Sequence, residues 1–196
     1  MIPRVKALLD EMADHRVRFE AFARSLSDAE LAARVPGAPW TVFDYIAHLV
    51  TIEALINPWF GAMVGAPPAG RPEVAPPQPF DLDEWNEAFV LRRHGSSLDQ
   101  IFGEAAENRQ RYADNVSRMT EAQLDAKIPF GGDRKAIDLP PVMIPLVTLL
   151  TGIALHDVTH TLDILRALPE RRNDVAEWLG SCDMSRLDPE VAARRA

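Results

Sequence analysis

One cysteine, Cys182, stands in a chain of 196 residues. A lone cysteine excludes an internal disulfide framework and leaves a thiol best kept in a reducing compartment, so a cytoplasmic location is expected. No charge-free run of about 18 residues appears, and no membrane span is expected. The longest apolar stretch, from Leu139 to Leu155, opens with three prolines and runs up to a histidine, which reads as a core helix. The first residues enter a charged amphipathic segment at once, without the apolar stretch of a signal peptide. Also missing are period-two alternation, internal repeats and a basic stripe. The 21 basic residues are scattered, and a net charge of -8 would repel phosphate backbones and anionic lipid. Nucleic acid and membrane are therefore excluded as expected partners.

What remains is a globular composition, 47% hydrophobic and 26% charged, with helical periodicity throughout. Val5, Leu8, Met12, Phe19, Phe22 and Leu26 fall at three- and four-residue steps, with His15 at the missing step. A second stripe runs through Tyr45, His48, Ile52, Leu55 and Trp59, opened by Thr41 as a cap and Asp44 three residues on. Pro58 is predicted to bend or end that helix. Six prolines between Val64 and Phe80 predict a long surface loop, able to cover a site or merely to connect. Asp81 to Arg93 and the stripe Leu98, Ile101, Ala105, Tyr112 and Met119 follow, as one broken helix or two. Residues 129–141 make another break. Leu146, Leu149, Ile153, His156, His160 and Ile164 then trace one face of a helix closed by Pro169. The expected architecture is all-α: a four-helix bundle over residues 1–168 with long crossover connections. Residues 169–196 form an appendage of the same domain, a short helix near Asp174 and then a loosely held tail.

His156 and His160 lie four apart, about 40° apart around a helix and about 6 Å along it, so both rings can reach one ion. Each of these histidines, and His48 on another helix, sits where its stripe calls for a core residue. Three buried imidazoles are costly unless they share a cation or find separate hydrogen-bond partners. Both arrangements fit the spacing. Asp44, one turn before His48, can orient the free ring nitrogen or act as a base, but it is also the capping residue. Asp157 points about 100° away from His156, toward solvent or an interface. His15 suits a solitary satisfied histidine, and His94 an exposed helix end. Trp40, Trp59 and Trp85 suit core or pocket-wall positions.

The segment Trp40-Thr41-Val42-Phe43-Asp44-Tyr45-Ile46-Ala47-His48-Leu49 resembles the second helix of the DinB and YfiT-like superfamily. His156-Asp157-Val158-Thr159-His160 resembles its His-x-x-x-His final helix, and Asp83-Glu84-Trp85-Asn86 an intervening helix start. That superfamily includes mycothiol-dependent maleylpyruvate isomerases and bacterial thiol S-transferases. The resemblance implies a four-helix bundle, often a homodimer, holding zinc or nickel through His48, His156 and His160. Some isomerase relatives carry a glutamate where this chain has His156, and the isomerase's additional C-terminal domain finds no room after Pro169.

A divalent ion with an open position can hold a thiol as thiolate. Cys182 falls in the expected tail, so the nucleophile would be a bound low-molecular-weight thiol, as the resemblance implies, or else a metal-bound water. The alanine-, arginine- and proline-rich usage typical of high-GC bacteria makes mycothiol the natural choice. The leading expectation is a metal-dependent S-transferase or isomerase acting on a small electrophile. The alternatives are a metal-dependent hydrolase of a reactive small molecule and a non-enzymatic metal-binding stress protein.

Overall fold

A computed structural model of the chain describes residues 1–65, 80–132 and 139–189. Helix α1 (Pro3–Arg24) is followed by the single turn α2 (Asp28–Leu31), then α3 (Val42–His48) and α4 (Thr51–Met63). Next come α5 (Leu82–Leu91), α6 (Leu98–Val116) and α7 (Glu121–Asp125). A small hairpin of β1 (Lys127–Phe130) and β2 (Val142–Pro145) leads into α8 (Leu146–Ala154), α9 (His156–Ala167) and α10 (Arg172–Ser181). The fold is all-α apart from that hairpin. Its four rods are α1, the broken pair α3/α4, α6, and the broken pair α8/α9.

Capping chemistry sets several helix starts. Thr41 and Asp44 form a reciprocal box at α3, as Ser97 and Gln100 do at α6, each satisfying backbone N–H groups that the first turn leaves open. Residues 81–119 resolve into two helices because Arg92 to Gly95 form a turn, with Gly95 at φ 87°. Pro58 does not end its helix: α4 runs through it to Met63, and the break falls earlier, at Leu49 and Val50. The hairpin corrects the strand-free expectation. Ile128 pairs with Ile144 in antiparallel register, both buried, and Gly131 and Gly132 take φ of 85° and 79° as the chain leaves β1. The proline-rich loop lies mostly at residues 66–79, outside the described residues.

Two hydrophobic cores are stacked along the bundle. One gathers Phe19 and Phe22 of α1, Ile46 of α3, Phe102 of α6, Ile164 of α9 and Trp178 of α10. The other gathers Leu8 and Met12 of α1, Phe60 of α4, Tyr112 of α6 and Leu150 of α8 with the hairpin. Between them, each rod contributes buried polar residues: His15 and Arg16, Thr51 and Glu53, Asn108, and His156 with Asp157. The functional residues lie in and beside this layer.

The C-terminal segment is more firmly seated than expected. Val175 and Trp178 are buried in the first core, and Arg186 pairs with both carboxylate oxygens of Glu11. Val42–Met63 is long and apolar enough to cross a membrane on composition alone, with a mean hydropathy of 1.2. It is nonetheless a core segment, because half of it is buried inside the bundle and its buried residues include Asp44, His48 and Glu53.

Candidate metal centre

His48 is the last residue of α3 and His156 the first of α9, so two helix breaks place two imidazoles at helix ends. His160 follows one turn later. The three residues each offer a ring nitrogen, and these atoms all lie within 4.8 Å of one another. His156 Nε2 and His160 Nε2 are 3.0 Å apart, and the His48 ring centre lies 5.3 Å from that of His156 and 5.0 Å from that of His160. His48 and His156 are buried and His160 is partly exposed.

Two of the rings have a polar partner at Nδ1. Asp163 Oδ2 lies 2.9 Å from His160 Nδ1, and a carboxylate can only accept, so Nδ1 carries the proton and Nε2 presents a lone pair. The Thr51 hydroxyl donates to the His48 carbonyl at 2.7 Å and stands 3.1 Å from His48 Nδ1. Asn86 Oδ1 on α5 stands 3.4 Å from the same hydroxyl. A proton on Nδ1 of each ring would leave Nε2 basic, the state a metal ligand needs.

The donor set suits a divalent transition metal. Nitrogens bound to one tetrahedral ion at about 2.0–2.1 Å stand roughly 3.3 Å apart, close to the His156–His160 spacing. Three neutral nitrogens also leave the ion its full charge and at least one open position.

Asp44 does not take the role of orienting His48. One of its oxygens accepts from the Thr41 backbone N–H and hydroxyl at 2.9 and 2.8 Å, and the other meets His94 Nε2 at 2.8 Å. Burial pushes this carboxyl up, but the Thr41 hydrogen bonds and His94 outweigh it and hold the pKa below the ordinary aspartate value. His94 is half exposed, as expected of a helix end, but it has this partner.

Asp157 faces neither solvent nor an outer surface. It is 2% exposed and receives two 2.8 Å hydrogen bonds from Arg16. His15 is a core histidine whose Nδ1 accepts from Trp178 Nε1 at 3.0 Å. Trp40 forms part of the wall, its ring 4.8 Å from His48, and Tyr45 lies 5.4 Å from His160. Trp85 is buried against Phe89, whereas Trp59 is 40% exposed with its ring 5.0 Å from that of Phe60. Sequence reasoning missed Thr51, Asn86 and Asp163. The His-x-x-Thr and His-x-x-Asp spacings, one helical turn each, were the available signals.

The three imidazoles face one another where two of the bundle's four rods are broken, a cluster that could hold a metal ion. The chain is a member of the DinB superfamily, whose family model matches residues 11–164 and so contains all three histidines. No curated protein matches the chain.

Proposed function

We propose that His48, His156 and His160 hold a zinc or nickel ion, and that the protein is an S-transferase or isomerase joining a low-molecular-weight thiol, mycothiol by preference, to a small electrophile. The observation that carries this reading is the clustering of three ring nitrogens within 4.8 Å of one another, with Thr51 and Asp163 beside Nδ1 of His48 and of His160. When bound, the ion supplies a Lewis acid that lowers the pKa of a thiol beside it.

The chain's own residues do the rest. Thr51 and Asp163 keep their imidazoles oriented, and burial of His48 and His156 keeps water from one side of the centre. Trp40 and Tyr45 give an aromatic wall against which a flat or apolar substrate can lie. Cys182 does not supply the thiol: its sulfur donates to the Trp178 carbonyl at the end of α10, and burial raises its pKa. The reading includes a homodimer, as the family resemblance implies, and a cytoplasmic setting, which suits the free Cys182.

Tag-free protein should contain one zinc or nickel per chain by elemental analysis and consume mycothiol in the presence of monochlorobimane. Metal-loaded protein that consumes no thiol would sink the transferase reading. Turnover of an electrophile without added thiol would move the protein to the hydrolases.

A further inference from the structure

A layer of four charges crosses the bundle at the level of His156. Arg16 of α1 grips Asp157 of α9 with two hydrogen bonds, and Arg109 of α6 stands 2.5 Å from Glu53 of α4. The pairs are cross-connected, Arg16 to Glu53 at 3.9 Å and Arg109 to Asp157 at 3.7 Å, and Arg109 also donates to the Met12 carbonyl at 3.1 Å. All four side chains are largely buried, with the two carboxylates almost completely so.

The placement is ordered. Both acids lie on the rods that carry the three clustered histidines, and both arginines on rods that carry none of the three. Each acid also sits in the first turn after a helix break: Asp157 directly follows His156, and Glu53 comes two residues after Thr51, the partner of His48. A carboxylate is favoured in a first turn by the helix dipole, so each anchors the start of its helix.

Stability alone gives this layer no purpose. It separates two hydrophobic cores that could otherwise be continuous, and replacing a buried ion pair by well-packed apolar residues is often neutral or stabilising. What an apolar layer lacks is the two-pronged grip of Arg16 on Asp157, which fixes both distance and rotation, with the single close approach of Arg109 to Glu53 beside it.

We propose that the Arg16–Asp157 and Arg109–Glu53 pairs are positioning residues for the histidine centre: they set the separation and rotation of the α3/α4 and α8/α9 breaks, and through them metal affinity and coordination geometry. This rests on the reading of the three histidines as metal ligands. The layer is reached from its other side by a groove of about 320 Å³ between α1 and α6, lined by Arg16 and Arg109 but by none of the three histidines. The arginines therefore act as struts and not as ligands of anything at the centre.

The test uses Co²⁺ as the probe, read by its visible absorption, together with thermal unfolding of the metal-free protein. Arg16→Met combined with Asp157→Leu should leave the melting temperature at or above that of the natural protein. Co²⁺ affinity should fall about 10–100-fold, the range for loss of residues supporting metal ligands, and the absorption bands should shift. Unchanged affinity and spectrum in the folded double variant would overturn the proposal. Arg16→Lys keeps the charge and loses the fork, and it decides the matter if the double variant does not fold: weaker Co²⁺ binding supports the proposal and natural affinity overturns it. Failure of the metal reading looks different, because the natural protein itself would then bind no Co²⁺.

Discussion

Thr51, the first residue of α4, holds its hydroxyl 3.1 Å from Nδ1 of His48, the last residue of α3, across a two-residue break in the helix. The same hydroxyl donates to the His48 carbonyl, so one side chain holds the broken end and orients the imidazole. Asp163 does the second of these jobs for His160.

Removing either partner should therefore weaken metal binding without emptying the site. Thr51→Val keeps the shape and loses the hydroxyl, and Asp163→Ala frees the His160 ring. Each should cost about 10–100-fold in Zn²⁺ affinity, measured by competition against a chromophoric chelator. Natural affinity in both variants would show that packing alone orients the rings.

The histidines themselves should behave differently. His48→Ala and His160→Ala should abolish stoichiometric metal in elemental analysis of tag-free protein. The melting temperature of the chelator-treated variants should stay within a few degrees of the natural protein, because the two hydrophobic cores lie on either side of the site. If His48→Ala abolished metal binding but left a cellular phenotype unchanged, the non-enzymatic reading would gain over the transferase.

The four rods were legible because they present three- and four-residue apolar stripes, and their starts because Thr41 and Ser97 are followed three residues later by Asp44 and Gln100. The histidines were legible as a set because each occupies a core step on its stripe. The breaks at Leu49–Val50 and Leu155 were not, since neither carries a proline or glycine and the apolar period runs on through them. Asp157 was misjudged for a related reason. A charge beside a core residue reads as outward-facing until a partner is known, and its partner Arg16 lies 141 residues away in sequence. Trp178 escaped notice because a short charged helix after Pro169 carries too few apolar positions to show a stripe.

Asp44 gives a pH-dependent prediction. Its pKa is held below the ordinary aspartate value, so the unfolded chain takes up its proton first as pH falls. The stabilisation is complete above the unfolded value of about 3.9 and is lost as pH falls through the lowered folded value. Asp44→Ala should cost about 1 kcal/mol at pH 7 through the lost hydrogen bonds from Thr41, and the gap to the natural protein should close in the strongly acid range. Urea unfolding across pH would show this, with Zn²⁺ affinity at neutral pH retained. A gap that widened on acidification would contradict the assignment.

The last prediction concerns the C-terminal helix. Trp178 of α10 donates to Nδ1 of buried His15 on α1, and its ring packs 6.1 Å from the imidazole. Trp178→Phe retains an aromatic ring but leaves the His15 nitrogen without its donor, a loss of about 1–3 kcal/mol. For a domain of this size each kcal/mol corresponds to roughly 2–4 °C in melting temperature. Thermal unfolding followed by circular dichroism should therefore fall by several degrees. Adding His15→Phe removes the stranded polar group, and when both partners become apolar the net cost is small. The double variant should accordingly melt above Trp178→Phe alone. If it melts lower, the contact stabilises the junction through packing of the indole and not through its hydrogen bond.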